Sequence, residues 1–243
     1  MTPNHIPLEI VEILRPAEQG RTEPFLCRAE DEKLYYVKGK KAGARGQFCE
    51  WVVAHLAEAF GLPVPPFRQV RVSQELLDES PVEHQVLGPG VAFASLARTQ
   101  AQWFENSFVS EVPVDLRRAV LAFDWWVKNS DRIHDNPNLL WSPGSKELVV
   151  IDHAFAFDDD FWPTVFLQYH VFREDWEAIS SDATLQEEYN SRMQDALSTW
   201  ATACENAPDE WKYKKLDGED FLDCAEALSI LEGCKDNTLW TIV

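Results

Sequence analysis

The stretch from Asn129 to His153, NSDRIHDNPNLLWSPGSKELVVIDH, constrains this chain more than any other. Leu139 to Trp141 and Leu148 to Ile151 are short apolar runs on either side of Ser142-Pro143-Gly144-Ser145, a pattern that predicts a β-hairpin. A turn centred on Ser145 puts Asn138 opposite Asp152, with Cα atoms about 5 Å apart. An aspartate that follows Val-Val-Ile is costly to bury unless it is paired or holds a metal. One carboxylate and one amide oxygen suit Mg²⁺, a hard cation that takes oxygen ligands and completes its shell with phosphates.

Asp131 lies upstream, on a loop that follows a helix, where it can reach a substrate hydroxyl beside such a metal. A base Asp, an Asn on metal and then an Asp on metal is the order of roles in protein-kinase phosphoryl transfer. Taken singly, each residue has an ordinary reading: Asp131 caps a turn, Asn138 starts a strand, Asp152 ends one. The ordered trio with a hairpin inside it favours the chemical reading.

A lysine and a carboxylate upstream fit the same scheme. Lys38 ends the apolar run Leu34-Tyr35-Tyr36-Val37, and alternation puts it on the face of Leu34 and Tyr36, taken here as the inward face. An inward lysine needs a counter-charge. Glu50 lies on the next helix, on a face shared with Val53, Ala54 and Ala57. A Lys38–Glu50 pair satisfies both groups and matches a lysine that orients ATP phosphates while a helical glutamate holds it. For the phosphate cover, the turn at Gln19-Gly20-Arg21-Thr22 is the first choice and the glycine-containing segment 39–46 the alternative. No GxxxxGK[ST] occurs, which excludes a Walker-type site.

The 243 residues carry 22 Lys plus Arg against 41 Asp plus Glu, a formal charge of −19, and such a surface repels phosphate backbones. Direct nucleic-acid binding is therefore not expected. Five cysteines without CxxC spacing argue against a disulfide framework or structural zinc and fit a reducing compartment. With neither a leader pattern nor a long apolar run, the expectation is a cytoplasmic protein without membrane contact. Asp158-Asp159-Asp160 reads as a solvated turn.

Along the chain, strands are predicted around 6–13, 25–29 and 34–38, then a helix from Gln47 to Phe60 closed by Gly61. Strand-like pieces follow at 67–72 and 82–87. From 113 onward helices dominate, with a strong one through Leu116, Val120, Phe123 and Val127 and others near 186–205 and 219–231. The expected class is α+β, in two lobes: a small β-rich N-lobe over 1–95 and a larger, mostly helical C-lobe over 96–243.

Together these pieces resemble the HipA-like kinase family, notably its short stand-alone members. The residues that carry the resemblance are Tyr36-Val37-Lys38-Gly39, Glu50 on a helix running into Phe60-Gly61-Leu62-Pro63-Val64-Pro65-Pro66, Asn129-Ser130-Asp131-Arg132, Asn136-Pro137-Asn138-Leu139-Leu140 and Ile151-Asp152-His153. The resemblance implies a bilobal protein-kinase-like fold, ATP and Mg²⁺ as cofactors, and phosphorylation of a hydroxyl, typically Ser or Thr of a protein. It implies that Lys38, with Gly20, Arg21 and Thr22, binds ATP phosphates, that Asp131 is the catalytic base and that Asn138 and Asp152 hold Mg²⁺. It also places an adenine-contacting hinge around Ala92, Phe93 and Ala94. Full-length HipA-type toxins space the base and the metal Asn more closely, which points to Asn136; the hairpin points to Asn138. Such toxins also carry an extra N-terminal domain not seen here, so an antitoxin-like or regulatory protein partner is left open. A nucleotide-binding pseudokinase and a small-molecule kinase of the aminoglycoside type are the competing readings.

Overall fold

The computed structural model describes residues 6–20, 22–212, 221–235 and 237–240. In chain order its strands and helices are β1 (Leu8–Pro16), β2 (Phe25–Ala29), β3 (Leu34–Lys38), α1 (Gly43–Phe60), β4 (Phe67–Val72), α2 (Gln74–Asp78), β5 (Gly90–Leu96), β6 (Gln102–Trp103), α3 (Val114–Trp126), β7 (Leu139–Ser142), β8 (Glu147–Val150), α4 (Pro163–Tyr169), α5 (Trp176–Ser180), α6 (Ala183–Leu197), α7 (Trp200–Asn206), α8 (Asp209–Lys212) and α9 (Cys224–Glu232). This is a mixed α+β chain. Its residues group into two compact units, and the grouping is not a single cut of the sequence. The first unit takes 1–51, 65–99 and 205–222; the second takes 52–64, 100–204 and 223–243.

The first unit is built on a closed barrel with strand order β1-β2-β3-β5-β4, β1 running parallel to β4 and the other pairs antiparallel. Alternation fills its interior: Ile10 and Ile13, Phe25, Cys27 and Ala29, Tyr35 and Val37, Val70 and Val72, Ala92 and Ala94. Burial pushes the Cys27 thiol up to about 12, so it acts as a small apolar filler. Tyr35 and Val37 take the interior side of β3, which turns Leu34, Tyr36 and Lys38 to the outside. Lys38 is buried, as expected of an inward lysine, but on the outer side of the barrel and not in its interior. The segment 82–87, expected as a strand, is a 3-10 helix that buries His84 and Leu87, three residues apart and so on one side of a three-residue turn.

In the second unit, β6-β7-β8 form a three-stranded sheet, and α3 lies among α5, α6 and α9. Three indole N–H groups tie its helices to the C-terminal segment: Trp126 donates to Leu231 O (2.9 Å), Trp125 to Leu239 O (2.7 Å) and Trp240 to Asn190 Oδ1 (3.0 Å). Phe60, at the end of α1, stacks on Tyr189 and lies under the Arg192 guanidinium, whose carbon is 4.2 Å from its ring centre. Arg192 also hydrogen-bonds Phe60 O (2.8 Å), so one side chain caps α1 by charge and by stacking.

Candidate active site

The loop that follows α3 and the hairpin β7-β8 build the core of the site. The hairpin pairs Leu139 with Val150 and Ser142 with Glu147, so its centre lies between Gly144 and Ser145. That is one residue away from the expected register: Asn138 faces Ile151, whose N–H donates to Asn138 O at 3.2 Å, and Asp152 is the next residue along. The loop of Pro143 to Lys146, closed by Lys146 N–H to Ser142 O (2.8 Å), sets this register. Asn138 and Asp152 then leave the ladder in the left-handed region, with φ of 49° and 60°. Asn and Asp tolerate that region better than most residues, which explains their presence at both ends of the hairpin.

Asn138 is buried, and its Nδ2 donates to Asp131 Oδ2 at 2.9 Å. A carboxylate can only accept, so the amide NH₂ must face Asp131 and the amide oxygen is the group turned elsewhere. The structure thus brings two of the three expected residues into direct contact and puts the third one residue beyond their strand partner. Asn136, the alternative ligand, is exposed.

Beneath this loop lies a polar network that sequence reasoning missed. Arg132, with 0% exposure, donates from Nε to Asp124 Oδ2 (2.6 Å). Its Nη1 reaches the carbonyls of Pro137 (3.2 Å), Asn138 (2.6 Å) and Ile151 (3.0 Å). Asn129 donates to the other Asp124 oxygen (3.0 Å), and His170 Nε2 lies 3.1 Å from Oδ2. His170 Nδ1 accepts from Phe172 N–H (3.1 Å), so the neutral ring carries its proton on Nε2 and donates it to Asp124. Burial holds the His170 pKa below its usual value, against the pull of Asp124. Burial alone would raise the Asp124 carboxyl; the Arg132 charge and the His170 hydrogen bond outweigh it and hold the pKa below the ordinary carboxylate value. The available signal was an acid inside an apolar helix run, Ala122-Phe123-Asp124-Trp125-Trp126; His170 carried none.

Two more left-handed residues border the site, Lys128 (φ 51°) and Phe157 (φ 57°). Backbone hydrogen bonds lace them together: Phe157 N–H donates to Val127 O (2.8 Å) and Asp158 N–H to Lys128 O (3.3 Å). A phenylalanine in this region is a genuine outlier, and such strain gathers where function demands a fixed backbone. Ser130 donates to Asp158, and Asp160 N–H donates back to Asp158 Oδ1 (3.0 Å), so the acidic run forms a turn. Among the described residues no group of three His, Cys, Asp or Glu is arranged to hold a metal. The fit of a cation here therefore rests on the mixed amide and carboxylate set of Asn138 and Asp152, which is chemistry Mg²⁺ accepts.

In the first unit Lys38 and Glu50 form the expected ion pair, with residue exposures of 8% and 1%. They meet on the outer face of the barrel. Lys38 pairs with Phe93 and Phe93 with Gln69, a cross-strand row that points away from the interior. The start of α1 covers this row: Gln47 accepts from Phe93 N–H (3.0 Å), and Trp51 packs edge-on against Phe67, which stacks on Phe93. Val53, Ala54 and Ala57 on the same helix are buried as expected.

The profile of the HipA-like kinase family matches residues 10–243, nearly the whole chain. The chain belongs to the HipA-like kinase family. Among solved structures it is similar to a Helicobacter pylori proinflammatory kinase, CtkA, with a TM-score of 0.53 and 11% identity over 96% of this chain and 95% of that one. That likeness shows a shared kinase fold. No curated protein matches the chain significantly.

In this HipA-like kinase the remaining expected contacts fall in mixed places. Gly20 and Thr22 lie in the turn after β1, where Glu23 N–H donates to Gly20 O (3.0 Å); Arg21 is outside the described residues. Glu23 of this turn pairs with Lys41. In the alternative segment, Gly39 is explained by packing: a Cβ there would lie 2.1 Å from Leu87 O. Ala92, Phe93 and Ala94 are not in a connector. They sit within β5, paired to β4 with Phe93 and Ala94 also paired to β3, so the hinge expected at these positions is misplaced; the chain leaves the strand after Leu96.

Proposed function

We propose that this HipA-like kinase transfers the γ-phosphate of Mg·ATP to a hydroxyl, with a protein Ser or Thr as acceptor. The observation that carries the reading is the buried Asn138 amide bound to Asp131, beside the residue that precedes Asp152. Asp131, oriented by that amide, takes the proton of the acceptor hydroxyl as its oxygen bonds to phosphorus, and the bond from the γ-phosphorus to the β-phosphate oxygen breaks to release ADP. Asn138 Oδ1 and the Asp152 carboxylate would hold Mg²⁺, which when bound neutralises the phosphate oxygens. Lys38, paired with Glu50, would bind the phosphates. Adenine contact moves from Ala92–Ala94 to the segment after them, around Leu96 to Arg98. The net charge of −19 favours a protein acceptor over nucleic acid, and a regulatory protein partner belongs to the same reading. A cytoplasmic setting belongs to the same reading, and no described helix is long and apolar enough to cross a membrane.

The test is ATP turnover with Mg²⁺ by the wild type and by Asp131→Asn. Loss of a positioned base predicts a fall of roughly 10²–10⁴-fold with nucleotide binding retained. Equal turnover by both proteins would remove Asp131 from the chemistry and return the chain to the nucleotide-binding reading.

A further inference from the structure

Two oxygen donors serve one cation only if their spacing is fixed, yet neither Asn138 nor Asp152 lies inside a strand. Each has a positive φ just beyond the hairpin's last paired residues. Asp131 holds the Asn138 amide, and Arg132 acts on the peptides around both Asn138 and Asp152. The carbonyls of Pro137 and Asn138 belong to the two peptide groups flanking Asn138, and that of Ile151 belongs to the peptide leading into Asp152. Arg132 Nη1 donates to all three. The direction of the guanidinium is set from its other edge by Asp124, and Asp124 is held by Asn129 and His170.

We propose that Arg132 is the positioning residue of the metal-ligand pair: one buried guanidinium, aimed by Asp124, clamps the peptides that carry Asn138 and Asp152 and so sets the distance between their oxygens. This rests on the reading that Asn138 and Asp152 hold the metal. The role needs arginine. A planar guanidinium serves a carboxylate on its Nε edge and carbonyls from Nη1, whereas a lysine supplies the charge as a compact point and cannot span both edges. Arg132→Lys therefore separates neutralising Asp124 from clamping the hairpin ends.

The experiment measures Mn²⁺ binding to the full chain in the presence of a non-hydrolysable ATP analogue, by electron paramagnetic resonance, and binding of the same analogue without metal. Wild type, Asn138→Ala, Asp152→Ala and Arg132→Lys are compared. Arg132→Lys is expected to raise the Mn²⁺ dissociation constant tenfold or more while metal-free nucleotide affinity changes less than twofold. Turnover should recover in part at high Mg²⁺, a response that general loosening of the fold would not give. If Arg132→Lys binds Mn²⁺ like the wild type while Asp152→Ala does not, the clamp is overturned and the metal site stands. If Asn138→Ala and Asp152→Ala also bind Mn²⁺ like the wild type, the metal site falls and the clamp with it. Should Arg132→Lys fail to fold, Asn129→Ala decides. It frees one Asp124 oxygen and leaves the ion pair in place, with an expected threefold or greater rise in the Mn²⁺ constant; an unchanged constant overturns the proposal.

Discussion

The barrel of the first unit and the loop-and-hairpin of the second are held by different physics. The barrel is built from paired strands, with irregularities confined in the described ladders to two register shifts in β1. Its interior is apolar, its ladders close on one another, and its buried charge pair lies on the outer face under α1. The loop and hairpin form an irregular region with five non-glycine residues at positive φ (Lys128, Asn138, Lys146, Asp152 and Phe157), a conformation that costs about 1–2 kcal/mol each. A fully buried polar network offsets that cost. One region is therefore specified by hydrophobic alternation and tolerates a conservative change in a single member, such as the loss of one methyl group. The other is specified by a few polar atoms and does not.

The sharpest way to break this contrast is Asp124→Ala. It leaves Arg132 buried without its counter-ion, and removing one partner of such a pair costs on the order of 3–5 kcal/mol. Urea unfolding should show that loss, and a loss below about 1 kcal/mol would show that the network is not the support of the second unit.

Acid should separate the regions next. Burial lowers the His55 pKa from 6.5 to about 4, and His170 is likewise held below 6.5. The unfolded chain takes these protons near pH 6.5 and the folded chain resists them. Stability is therefore full above pH 6.5 and falls as pH drops toward 4, by on the order of 2–3 kcal/mol for His55 alone. Both histidines belong to the second unit, so hydrogen exchange at pH 5 should rise there before it rises in the barrel.

Within the barrel unit, Gly39→Ala drives a methyl into Leu87 O and should cost about 1–3 kcal/mol by calorimetry. Ile10→Val, in the barrel interior, should cost only about 0.5–1.5 kcal/mol. If Ile10→Val proved as damaging as Asp124→Ala, the two regions would not differ in the way described.

How far the sequence could be read follows the same division. Alternation located β2 and β3 within the barrel, and helical spacing located α1 and α3, because those signals are local. The Lys38–Glu50 pair was legible because two unlike charges sat at the end of a strand and on the next helix. The side of the sheet was not legible, since alternation alone does not tell inside from outside; the burial of Tyr35 and Val37 decides it. Asp131, Asn138 and Asp152 stood out by type and order. Their register was missed by one residue because it depends on which residues close the turn. Arg132 was visible in its motif, but its partner Asp124 lies eight positions away and Asp124's own partner His170 lies 46 from it, and no periodicity reports contacts of that kind. The strand at Gly90 to Leu96 was not predicted, because the resemblance placed a hinge around Ala92 to Ala94 inside it.

The most direct test of the site is the melting temperature with ATP plus Mg²⁺ against ATP plus chelator, for the wild type, Asp152→Ala and Asn136→Ala. At about a hundred times its dissociation constant a ligand adds roughly 2.7 kcal/mol. A Mg²⁺-dependent rise in the wild type and in Asn136→Ala, lost in Asp152→Ala, is the predicted result. No Mg²⁺-dependent rise in the wild type, or its loss in Asn136→Ala with retention in Asp152→Ala, would contradict the assignment of Asn138 and Asp152 as the metal ligands.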